Sequence, residues 1–117
     1  MLEPMTYEEL RAYVPKDFMT FMSEGLTPVQ AASRLIDEYE IQTDDYEDVS
    51  WLFTVLLAEL GVSYHCLSEE VKAEALGIID NGKLIEAWKQ DGVSESELEL
   101  RSGYLEEVKG KLLNYGS

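Results

Sequence analysis

Three Ser/Thr-x-x-Glu/Gln boxes set where this chain can turn into helix: Thr6-x-x-Glu9, Thr27-x-x-Gln30 and Ser94-x-x-Glu97. In each, the hydroxyl can accept a backbone N–H of the first turn while the Glu or Gln reaches back to the N–H of the capping residue. Between the boxes no run alternates apolar and polar residues within turn signals, so the fold class is all-α. Thr6 opens a helix that Pro15 is expected to kink or divide, with a second piece from about Asp17 to Glu24 that Gly25 closes. Pro28 takes the favoured first position of the next helix. Its predicted inner face is Val29, Ala32, Ile36 and Tyr39.

Positions 41–48 read as a polar, acidic loop whose last Asp suits the positive end of a following helix. Trp51 to Leu60 is apolar nearly all round, the pattern of a central helix, and Gly61 is expected to end it. Ser68 can cap a helix that turns Val71, Ala75, Ile78 and Ile79 inward, and Asp80-Asn81-Gly82 is a turn. A short helix with Leu84, Ile85 and Trp88 is closed by Gly92, and the last helix carries Leu98, Leu105, Val108 and Leu112. Six to seven short helices on short loops predict an irregular bundle or stack, and 117 residues suit one domain, 1–117.

Charge narrows the function classes. The chain has 24 Asp or Glu against 9 Lys or Arg, a formal net charge of −15. Nucleic-acid affinity comes largely from Lys and Arg releasing counterions from phosphates, so nucleic acid and anionic membrane surfaces are not expected partners. No apolar stretch approaches the roughly 20 residues that span a bilayer, and no basic-then-apolar leader opens the chain. Cys66 is the only cysteine, so no internal disulfide is possible and a reducing, cytoplasmic setting is the expectation. Between Arg34 and Lys72 there is no Lys or Arg but there are ten Asp or Glu. That stretch is an acidic belt.

Three segments, TPVQAASRLIDEY at 27–39, VKAEALGIIDNGKLIEAW at 71–88 and GVSESELELRSGYLEEVKGKL at 92–112, resemble a bacterial family of short acidic helical proteins of unknown function. Between them, WLFTVLLAELGV stands where family members often carry a Trp, an Ala-rich helix and a Gln-Trp pair. The resemblance implies a bacterial origin and a helical fold, and it brings no activity with it.

The belt supplies the candidate site: Asp37, Glu38, Tyr39, Glu40, Asp44, Asp45, Tyr46, Glu47 and Asp48. Its carboxylates would suit a basic partner, and Tyr39 and Tyr46 would add apolar grip within the negative field. A calcium loop beginning at Asp44 fails, since Val49 and Val55 fall where Gly and Glu are required. His65 and Cys66 are adjacent, and catalytic pairs are usually assembled from distant parts of a chain, so an ordinary loop is expected there. Trp51 and Trp88 are expected in the core. No phosphate-binding glycine loop and no triad can be written, so neither catalytic residues, a metal nor a cofactor is predicted. The residues favour a non-catalytic acidic protein that docks a basic protein partner, and an immunity or antitoxin-like role fits that charge and size. Two alternatives stand beside it: a small enzyme or metal-binding protein using carboxylates of the 37–48 belt, and a homo-oligomeric structural module.

Overall fold

The capping residues start the helices they were expected to start. In the protein's structure, a computed structural model that describes residues 3–115, Thr6 opens α1 (Tyr7–Ser23): its Oγ1 accepts the Glu9 N–H at 3.1 Å, and its own N–H donates to the Glu9 carboxylate at 3.0 Å. Thr27 and Gln30 make the same reciprocal pair at the start of α2 (Pro28–Glu38), with bonds of 3.2 and 3.0 Å. There follow α3 (Glu40–Asp45), α4 (Glu47–Ser63), α5 (Glu69–Asn81), α6 (Lys83–Gln90) and α7 (Glu95–Asn114). Ser68 caps α5 through the Val71 N–H at 3.1 Å. Ser94 caps α7 through the Glu97 N–H at 3.3 Å, but here the box is half made, because the Glu97 carboxylate turns instead to Arg101 Nε at 2.9 Å.

Among the described residues there are seven helices and no strand, so the fold is an all-α irregular bundle. It is a slab of 41 × 41 × 21 Å, about two helix diameters thick. α4 runs through its middle and touches α1, α2, α3, α5, α6 and α7. That position explains why α4 is apolar all round: Leu52, Val55, Leu56 and Ala58 are all buried. Each fully buried Leu or Val side chain of this kind contributes roughly 1.5–3 kcal/mol of transfer free energy. The stripes Leu10, Val14, Phe18 on α1 and Leu105, Val108, Leu112 on α7 close over it.

Four expectations are corrected. α1 is not divided at Pro15, since burial of Leu10 and Val14 before the proline and Phe18 after it holds both halves against the core as one helix. The 41–48 loop is absent: α3 fills most of it, and α4 begins at Glu47. α3 has no buried residue of its own. It is held by Tyr39 before it and by Gln42, whose side chain accepts the Met5 N–H and donates to the Glu3 carbonyl, both at 2.9 Å. Gly61 does not end α4. It lies two residues inside the helix, where an added Cβ would come 2.8 Å from Leu67 Cα, so glycine is there for the close approach of the next segment.

The inner face of α2 is also rotated from its expected position. Ala31, Leu35 and Tyr39 are buried, whereas Val29 is 63% and Ile36 47% exposed. The helix carries two apolar stripes, 29/32/36 and 31/35/39, at the same helical spacing. Only the neighbours α1 and α4 decide which one is covered.

Candidate docking surface

The belt runs over three successive helices. Asp37 and Glu38 lie at the end of α2, Glu40, Asp44 and Asp45 on α3, and Glu47 and Asp48 in the first turn of α4, where the positive end of the helix favours them. Asp37, Glu40, Asp44, Asp45 and Glu47 are exposed and, among the described residues, form no ion pair. Glu38 is paired to Arg34 at 3.4 Å, across one helical turn and open to solvent, an arrangement that contributes little. No three His, Cys, Asp or Glu among the described residues converge to hold a metal ion.

Tyr39 is a correction. It is not part of the surface: its ring is buried and stacks on Phe53 at 5.2 Å, and its hydroxyl donates to Asp17 at 2.8 Å. Burial, then that hydrogen bond and the Asp17 charge, pushes its phenol far above the ordinary tyrosine range. Tyr39 therefore anchors the α2–α3 corner and offers no grip to a partner. Tyr46 is half-buried between α3 and α4 and packs against the core. Asp48 is half-buried too, at the mouth of a cleft of about 280 Å³ between the Pro4–Glu8 segment, the start of α4 and Trp88.

One wall of that cleft is a cation that the sequence did not advertise. Arg101 is 8% exposed. Its guanidinium lies 4.2 Å from the Tyr7 ring centre and 5.0 Å from that of Trp88, and it donates to Glu97 at 2.9 Å and to Glu8 at 3.3 Å. A buried charge needs such partners. The available signal was Glu97 one turn before Arg101, but that spacing is common on solvated helix faces. A second network joins α4 to α7: the Tyr104 hydroxyl donates to Glu59 at 2.6 Å and Lys111 Nζ donates to the same carboxylate at 2.9 Å. Burial and the Glu59 bond raise the Tyr104 pKa well above its usual range, and the Glu59 bond raises that of Lys111.

His65 and Cys66 lie at the end of α4, where the Cys66 N–H donates to the Gly61 carbonyl at 2.9 Å and the His65 N–H to that of Val62 at 3.4 Å. These are the two bonds of a Schellman helix end. Burial pushes the Cys66 thiol up, away from the thiolate a nucleophile requires. No helix is long and apolar enough to cross a membrane among the described residues. No family model, curated protein or solved structure is found to match the chain.

Proposed function

We propose that the protein is a non-catalytic acidic binding protein whose α2–α4 corner docks a basic protein partner. The observation that carries this reading is the set of exposed carboxylates at Asp37, Glu40, Asp44, Asp45 and Glu47, held on consecutive helical segments without counter-ions among the described residues. Fixed charges on a rigid scaffold attract a partner at long range and need little reordering on contact. An immunity or antitoxin-like role in a bacterial cytoplasm, within the family that the 27–39, 71–88 and 92–112 segments resemble, is the setting that fits.

The test is affinity capture beside a variant carrying Asp37→Asn, Glu40→Gln, Asp44→Asn and Asp45→Asn. A basic protein that binds wild type, dissociates as salt is raised and ignores the neutralised variant is the expected result. A partner that binds both forms equally sinks the proposal. So does a calcium- or magnesium-specific rise in melting temperature that the variant lacks, which would move the belt to the metal-binding alternative.

A further inference from the structure

The stretch without Lys or Arg, 35–71, does more than form the belt. It supplies the end of α2, all of α3 and α4, and the start of α5. Among the described residues no Cα of α2 comes within 8 Å of a Cα of α5, although both helices lie on α4. The gap between them is a groove floored by α4. Three depressions of about 170, 320 and 390 Å³ run into one another along it. The first two share Ile36, Leu57 and Val71, and the last two share Ser50, Thr54 and Glu74.

The floor follows from helix periodicity. Ser50, Thr54, Leu57 and Gly61 fall on one side of α4, and Val55 and Glu59 on the opposite side, where Glu59 binds Tyr104 and Lys111 of α7. From Ser50 to Gly61 is about 16 Å, three helical turns. One wall is the α2 stripe of exposed Val29 and Ile36 with half-buried Ala32, continued by Thr43 of α3; the other is Val71, Glu74 and Ile78 of α5. None of the described lining residues is Lys or Arg. Of the cations around it, Arg34 is engaged with Glu38 and the Phe21 ring and Lys72 with the Tyr115 carbonyl, while Lys83 Nζ lies 5.8 Å from the ring of Trp51, which lines the third depression. Glu70 and Glu74 of α5 line the groove, and the helix that contributes Thr43 to the other wall also carries Glu40, Asp44 and Asp45.

A largely apolar channel three turns long, with carboxylates on its α5 wall and an acidic helix, α3, contributing to the other, is complementary to an amphipathic helix whose apolar stripe is flanked by Lys and Arg. We infer that the groove over α4 receives such a helix from the basic partner. This inference rests on the acidic-binding reading and specifies the seat: the helix lays its apolar stripe on Leu57 and Ile36, and its cations meet Glu70, Glu74 and the α3 carboxylates.

The probe is a synthetic Leu/Lys amphipathic peptide of about 14 residues, four helical turns, labelled for fluorescence anisotropy. Ile36→Glu is the decisive variant because it adds negative charge to the rim while removing apolar surface, and its side chain is half exposed, so the fold is retained and checked by circular dichroism. Binding to wild type that weakens at least about tenfold in Ile36→Glu and in Glu74→Lys, with Glu106→Lys on α7 changing it less than about twofold, is expected. Ile36→Glu binding as tightly as wild type or tighter overturns the groove, as does an equal loss in Glu106→Lys, since either means undirected attraction to a negative molecule. A wild type that does not bind the peptide at all also overturns it, as does a dimer in sedimentation that Ile36→Glu dissolves, the occupant then being a second copy. A natural partner that needs Asp44 and Asp45 but is indifferent to Ile36→Glu would remove the groove and leave the acidic-binding reading standing.

Discussion

His65 has φ +55°, a left-handed conformation that costs a residue with a Cβ roughly 1–2 kcal/mol. The reason is the helix end it completes. The same pair of bonds closes α1 around Gly25, with Leu26 N–H to the Phe21 carbonyl at 3.2 Å, and α6 around Gly92, with Val93 N–H to the Trp88 carbonyl at 3.1 Å. At the end of α4 the position is histidine. Its adjacency to Cys66 is thus a matter of backbone geometry, and His65→Gly should stabilise the protein by about 0.5–1 kcal/mol in urea unfolding, less than the full strain because glycine also loosens the unfolded chain. A loss of stability would mean that the ring's contact with Tyr115 at 6.5 Å outweighs the strain. Two other glycines separate packing from propensity. Gly103 sits inside α7 with nothing within 4 Å of an added Cβ, so Gly103→Ala should gain up to about 1 kcal/mol of helix propensity. Gly61→Ala gains the same propensity but drives a methyl into Leu67, and should cost about 1–2 kcal/mol net. Parallel melts of the two variants should move in opposite directions.

At the scale of elements, the two tryptophans part company. Trp88 of α6 is buried, edge-on to Tyr7 at 5.4 Å and beside the Arg101 guanidinium, so Trp88→Ala should cost about 3–5 kcal/mol. Trp51 of α4 is half-buried at the groove, with Lys83 Nζ 5.8 Å from its ring. Trp51→Ala should cost less than half as much, and equal losses in denaturant titrations would place both rings in the core. Helix starts at Thr6, Thr27, Ser68 and Ser94 were readable because a cap is a local hydrogen bond between residues three apart. α3 was not, because its reasons to be helical lie far away: Gln42 is tied to Glu3 and Met5, and Tyr39 to Asp17. The outward face of α2 was missed for a related reason, since its two stripes are equivalent until neighbours cover one.

For the whole molecule, a net charge of −15 on a thin slab opposes compaction. Melting temperature should rise from low salt to physiological ionic strength, where the screening length shortens to about 8 Å, and a fall would show that attractive pairs such as Lys109–Asp80 at 2.7 Å outweigh the repulsion. Alkaline pH acts through Tyr39 and Tyr104. Both phenols have raised pKa values in the folded state, so the unfolded chain loses these protons first, above the usual value of 10.0, while the folded state keeps them. Stability is therefore intact below about pH 10 and declines above it, as does the contribution of Lys111, whose raised pKa is lost in the same direction. Two of the seven tyrosines should titrate only as the protein unfolds, seen in phenolate absorbance against circular dichroism. Seven titrating together before unfolding would contradict the Asp17 and Glu59 hydrogen bonds. Helical class, the four side-chain-capped helix starts, the central place of α4 and the acidity of the 37–48 stretch were determined by the sequence alone, since each follows from neighbours within a few positions or from composition. Tertiary structure decided which carboxylates stand exposed, that Tyr39 is core, that Arg101 is buried between two rings, and that α2 and α5 part over α4 to leave a groove. Those outcomes depend on contacts between residues tens of positions apart, as between Glu8 and Arg101 or Glu59 and Lys111, and helical periodicity places a side chain on a face without naming what that face will meet.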